Sequence, residues 1–276
     1  MPLNSVNTNS GAMIALQNLQ KTNMELDTVQ SRINTGKKVN TAKDNGAIWA
    51  IAQGQRAEVG ALNAVKDSLD RGSSAIDVAL AAGESISDLL TQLKEKALSA
   101  TDKSLTTSAR SALNEDFKSI RDQITSAVSN AKFNGVNMIN AAGTAGFSAL
   151  SNTSGSVTTV KGENLALGGP NVTVAATTTI GTSTTATAAL TLVNASIDKV
   201  SASLARLGTG AKKLDSTRQF VGKLSDAIET GIGNLVDADL AKESARLQSL
   251  QTKQQLGVQA LSIANQSSSV LLGLFR

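Results

Sequence analysis

The sequence predicts a mainly α-helical protein, a long antiparallel helical bundle or coiled coil formed by the N- and C-terminal halves, with a small β-rich insertion between them. Three observations carry that prediction. From Leu62 to Ala100, apolar or small residues return at alternating steps of three and four, the seam of a long helix packed lengthwise on other helices. The same alternation reappears from Leu190 onward. Between the two, a stretch rich in Ser and Thr has no helical period.

Composition agrees with long helices and excludes much chemistry. Among 276 residues there are one Trp, five Phe, two Pro and no Tyr, so uninterrupted helices fit better than a compact mixed core. With no His and no Cys, histidine bases, His or Cys zinc sites, cysteine nucleophiles and disulfides are all ruled out. The net charge of +4 is spread along the chain without aromatic stacking platforms, so nucleic-acid binding is not expected. The N-terminus lacks the basic start and apolar core of a signal peptide, and no apolar run reaches the roughly 20 residues of a membrane span.

In chain order, residues 4–34 read as a first helix, with Ala12, Leu16, Leu19, Leu26 and Ile33 close to one stripe, Val29 beside it and Asn23 interrupting it. Its outer face is mostly Asn, Gln, Ser and Thr, which suits a helix enclosed by protein neighbours better than one facing water. Gly36 is placed to cap it in a left-handed conformation, and Asp44 or Asn45 to cap the next. That next helix runs from about Gly46 to Ala100. One row of its seam is Leu62, Leu69, Ile76, Gly83, Leu90 and Ala97, the other Val65, Gly72, Ala79, Ile86, Leu93 and Ala100. Gly72 and Gly83 cost helix propensity and are tolerable where a neighbour approaches closely. Trp49 is expected as a buried packing anchor.

Residues 101–108 form a turn, and Leu113, Phe117, Ile120, Ile124, Ala127 and Ala131 mark a third helix folding back antiparallel. Asn134-Gly135, between Phe133 and Val136, is a hairpin-type turn signal. The segment 144–190 carries only Lys161 and Glu163 as charges and reads as a small surface insertion with short strands, or as a low-complexity segment without fixed structure. The returning heptads then place Leu190, Ile197, Leu204, Ala211, Arg218, Ser225 and Ile232 in one row and Val193, Val200, Leu207, Leu214, Val221, Ile228 and Leu235 in the other. Near Val236 the register slips, which marks a hinge, with Asp237 and Asp239 as N-caps beyond it. The last helix carries the stripe Leu240, Leu247, Leu250, Gly257, Leu261, Ala264, Leu271 and Phe275 among many Gln and Ser.

The two sparsely charged ends form a natural pair. Alone, such a pair exposes leucine-rich stripes and buries too little to offset its ordering entropy. The implied protein is a self-assembling subunit whose contacts join different faces and therefore propagate into a helical polymer. The residues expected to carry self-assembly are Leu16, Leu19, Leu26, Ile33, Leu240, Leu247, Leu250, Leu261, Leu271 and Phe275. The expected domains are residues 1–40 with 236–276, residues 41–143 with 191–235, and the insertion 144–190.

Several motifs sharpen this. Arg32-Ile33-Asn34-Thr35-Gly36, Ala42-Lys43-Asp44-Asn45-Gly46-Ala47 and Ala131-Lys132-Phe133-Asn134-Gly135-Val136 occur in order in the first half. Asn234 to Ala245, Gln254-Gln255-Leu256-Gly257 and Ser262-Ile263-Ala264-Asn265-Gln266 follow near the C-terminus. Together they resemble bacterial flagellin, in particular the short alphaproteobacterial kind, over about residues 1–140 and 190–276. The resemblance implies a secreted, extracellular flagellar filament subunit for swimming motility, with the paired termini as the inner tube of a helical homopolymer that can include other flagellins. It also implies a flagellar type III export apparatus, an export chaperone, a distal filament cap and hook-junction proteins as partners, and Ser and Thr of the insertion as acceptors of O-linked sugars. Gln92 and Lys96 depart from the stretch that an animal innate-immune receptor recognises in the larger family. The alternative reading is the hook–filament junction protein, which shares the terminal architecture.

No enzyme activity, cofactor, metal, nucleic acid or membrane partner is expected. Glu115-Asp116 and the Asp237/Asp239 pair read as solvated helix charges or caps, and Gly208 to Lys213 lacks P-loop spacing and lies inside a heptad helix. Deleting residues 240–276 is expected to abolish filaments and leave a soluble helical monomer, checked by electron microscopy beside circular dichroism.

Overall fold

The computed structural model describes residues 8–273, with side chains as far as residue 266. Its elements are α1 (Ser10–Thr35), α2 (Gly46–Ala100), α3 (Thr107–Asn130), a 3₁₀ turn (Ala142–Ala145), β1 (Phe147–Leu150), β2 (Val157–Val160), α4 (Ser183–Val236) and α5 (Leu240–Gly273). The expected start of α1 at residue 4 falls partly outside the described residues. Among the described residues α1 begins at Ser10, where the Asn9 side chain accepts a hydrogen bond from the Ala12 N–H and fixes the first turn. Gly36 ends α1 at φ 70°, the left-handed cap expected of it. Asn45 caps α2 by accepting from the Ile48 N–H, while Asp44 closes the preceding loop instead.

The chain divides into two compact units, residues 58–226 and residues 1–57 with 227–276. In the first of these, both seam rows of α2 are buried from Leu62 to Ala100. α3 returns antiparallel, with Phe117 and Ile124 fully buried and Lys96 paired with Asp116 at 2.7 Å. Arg110 donates to the carbonyls of Ala100 and Asp102 and so satisfies the open end of α2. α4 also runs antiparallel to α2, as the Arg218–Asp70 pair at 3.1 Å shows. The two seam glycines of α2 lie where side chains press in: a Cβ on Gly72 would meet Leu214 and Phe147 at 3.0 Å, and one on Gly83 would collide with Leu204. Asn134 and Gly135 both adopt positive φ, closing a tight turn bridged by Phe133 and Val136.

Two sequence expectations change here. The buried seam of α4 pairs the Val193–Val200–Leu207–Leu214–Val221 row with Ala189, Ser196 and Ser203, while Leu190, Ile197 and Leu204 flank it half-buried. A search for large apolar residues passes over such a row of small ones. The insertion is also structured, yet strand accounts for only two four-residue segments, paired antiparallel in the register Phe147↔Val160 to Leu150↔Val157. The rest is irregular chain that buries Leu165, Val172, Val174 and Ile180 completely. Specific bonds hold it, from the Leu150 N–H to Ser68 Oγ, from the Thr173 N–H to Ser196 Oγ, and from Arg121 to the Thr178 carbonyl. The small serines of α4 are therefore docking points for the insertion.

Its strongest tether is Glu163, whose carboxylate takes two hydrogen bonds from Arg206 at 2.6 and 2.7 Å and a third from Asn171. The hydrogen bond and positive charge of Arg206 hold the Glu163 carboxyl below its ordinary value of 4.5, with Ser203 and Asn171 adding to the effect. A folded value below the unfolded one stabilises the fold above the ordinary carboxylate range, and this is lost as pH falls through the folded value. Acidification from about pH 6 to about pH 3 should therefore lower the melting temperature of the wild type further than that of Glu163→Gln, measured by thermal circular dichroism.

Candidate self-assembly interface

The second unit is built on α1 and α5, which pack antiparallel. The Asn9 amide donates to the Ala264 carbonyl at 2.7 Å, Gln254 to Asn23 at 2.8 Å, and Arg32 to Glu243 at 3.1 Å. On α1 the inward row is Ala12, Ala15, Leu19, Thr22, Leu26, Val29 and Ile33, and on α5 it is Leu247, Leu250, Gln254, Gly257, Leu261 and Ala264. Both rows alternate three and four, as a coiled-coil seam requires. Its apolar centre is small: Leu26, Val29 and Leu250 are buried, with Ile33 and Leu247 packed against them.

Backbone bonds tie the base of this pair together. The N–H groups of Lys38 and Val39 donate to the Val236 carbonyl, and that of Ala238 donates to Gly36. Val236 ends α4, and Asp239 caps α5 by accepting from the N–H groups of Ala241 and Lys242. The register slip in the sequence is thus a true break between two helices. The N–H groups of Thr41 and then Asn40 hold the Asp44 carboxyl below its ordinary value, which fixes the connecting loop. A cleft of about 480 Å³ beside this joint is lined by four basic and four acidic side chains, so it offers no field of one sign to a charged ligand. Trp49, expected as a buried anchor, is only half-buried.

The sequence-predicted assembly residues fall into three groups. Leu26 and Leu250 are buried inside the pair, and Leu19, Ile33, Leu247 and Leu261 lie half-buried along its seam. Leu16 and Leu240 are exposed. Phe275 and the side chain of Leu271 lie outside the described residues. Outward-facing apolar residues absent from the predicted set are Met13, Ile14 and Met24 on α1 and Leu256, Val258 and Ile263 on α5. The last three are 58%, 54% and 68% exposed. Heptad analysis selects one stripe per helix and so discards apolar residues elsewhere on it. The missed signal was their presence on faces where water-facing helices carry charge.

The bacterial flagellin N-terminal helical region matches residues 6–144, and the bacterial flagellin C-terminal helical region matches residues 190–275. The chain belongs to the bacterial flagellin family. It is 59% identical to flagellin FljM of Caulobacter vibrioides over the whole of both chains. It is 38% identical to a flagellin of Brucella melitensis, over 99% of each. The crystal structure of Bacillus cereus flagellin shares the fold at a TM-score of 0.50 and 20% identity, covering 56% of this chain and 88% of that one. This flagellin is therefore a structural subunit of the helical flagellar filament and not an enzyme. Among the described residues, no helix is long and apolar enough to cross a membrane.

The α1–α5 pair rests on few buried side chains, so each counts. Leu250→Ala should cost about 3 kcal/mol, enough to loosen the pair locally. Hydrogen exchange should show faster exchange of α1 and α5 amides while those of residues 58–226 keep wild-type protection.

Proposed function

We propose that the α1–α5 pair is the element through which this flagellin polymerises, closing with other copies into the inner tube of the filament from residues 1–40 and 236–276. One observation carries the reading: α5 is apolar on faces that its own chain leaves uncovered. Leu247 and Leu250 turn toward α1, whereas Leu256, Val258 and Ile263 turn away and stand more than half exposed. Large aliphatic side chains on more than one side of a helix call for cover on more than one side. Covering the exposed half of each such residue contributes about 1 kcal/mol on assembly.

In this reading, Leu19, Leu26, Ile33, Leu247, Leu250 and Leu261 act by holding the pair together. Leu16 and Leu240, with Met13, Ile14, Met24, Leu256, Val258 and Ile263, meet other copies. Leu271 and Phe275 are assigned the same role from the sequence stripe alone. Assembly takes place outside the cell after type III export with a chaperone, under a distal cap and on hook-junction proteins, and the filament can include other flagellins. The Ser- and Thr-rich insertion offers hydroxyls for O-linked sugars. The relatives above are named flagellins, which agrees with a subunit that elongates by itself.

Combining Leu256→Glu with Ile263→Glu tests the surface directly. The monomer should keep its helical circular dichroism, because neither side chain is in the seam. The critical concentration for polymerisation should rise by about tenfold or more. Unchanged polymerisation would remove α5 from the contact between copies.

A further inference from the structure

Leu247 and Leu250 turn the proximal half of α5 toward α1, but hydrophobicity does not tell its distal half which way to face. In its distal half the inward row is Gln254, Gly257, Leu261 and Ala264, whereas the outward face offers Leu256, Ala260 and Ile263. The outward set, roughly 130° round the helix at 100° per residue, is the more apolar of the two. With its distal half turned about the axis, α5 would bury its own Leu256 and Ile263 against α1 and withdraw them from another copy.

Beside the proximal burial of Leu247 and Leu250, two contacts in the distal half oppose that turn. Gln254, in the seam of α5, donates at 2.8 Å to Asn23 beside the seam of α1, both side chains partly buried. Leu19 projects over Gly257, where a Cβ would lie 3.3 Å from its Cδ1 and 3.8 Å from its Cβ. Turning α5 away would leave the Asn23 amide against apolar groups without its partner and would drive larger side chains onto Leu19. We infer that Asn23 and Gln254 are positioning residues that select the face α5 presents to α1, keeping the Leu256–Ile263 face free for a second copy of this chain. This rests on the assembly role proposed for that face.

A mismatch separates this role from simple stabilisation. Asn23→Leu should turn α5 rather than melt it, and adding Gln254→Leu should turn it back, because like then faces like again. The chain has no Cys, so introduced pairs report facing without background. Leu19→Cys with Gly257→Cys has a Cβ spacing suited to a disulfide and should crosslink readily in monomer. Asn23→Leu should lower that yield several-fold, raise the yield of Leu19→Cys with Leu256→Cys, preserve helical circular dichroism, and raise the critical concentration at least about tenfold. The double substitution should reverse all three changes. Crosslinking that stays at the first pair in Asn23→Leu, or loss of helicity in its place, would overturn the inference. A change of facing that left polymerisation as in the wild type would overturn instead the assembly reading beneath it.

Discussion

A helix with large aliphatic side chains on more than one side cannot be covered by a single neighbour. That constraint governs α5, and through it the protein. α1 covers one side, and the helix still exposes Leu256, Val258 and Ile263 to water. Ordinary surface helices place charge there; this one places Gln, Ser and large aliphatic side chains. The isolated subunit is therefore stable at a cost that assembly removes, and the hydrophobic effect that normally ends folding here continues into polymerisation.

The two units divide this labour by how well they are filled. Within residues 58–226, the seam of α2 is buried throughout, and the insertion closes over α4 with its own fully buried residues. Among the described residues, the α1–α5 pair has three buried apolar side chains and relies on backbone bonds at its base and on polar bridges along its seam. A unit with a filled core resists local opening, and one with a thin core yields first. The thin one is the one whose exposed surface matches an assembly role.

Much of this was legible in the sequence because heptads over long stretches are a strong signal. Both rows of α2, its bounds, the Gly36 cap, the Asn134-Gly135 turn and the break at Val236 follow from spacing and turn chemistry alone. The insertion was less readable: Val172 and Val174 alternate as in a strand yet lie in irregular chain, and Leu165 and Ile180 are buried singly, with no run of like residues to mark them. The serine row of α4 was hidden for a related reason, as Ser196 and Ser203 are buried through hydrogen bonds that a hydropathy pattern does not register. At the proposed assembly surface, sequence reasoning favoured the inner stripes of α1 and α5, whereas Met13, Ile14, Met24, Leu256, Val258 and Ile263 stand exposed elsewhere on the same helices. Residues proposed to meet other copies escape such a reading, because periodicity identifies only partners already present on the chain.

That asymmetry bears on why the α1–α5 seam is not all leucine. An ideal apolar seam would tighten the monomer, but the same sequence must also keep its other apolar face from folding inward. The alternatives compete for one helix, so strengthening the inward row and protecting the outward one are separate requirements. A partly buried amide pair contributes little net stability, since its hydrogen bond largely replaces one to water. Its discrimination is larger, because the misfaced state loses the bond and keeps the desolvation. Asn23 and Gln254, which look like defects in the stripe, therefore trade stability of the single chain for a surface that stays available to its copies.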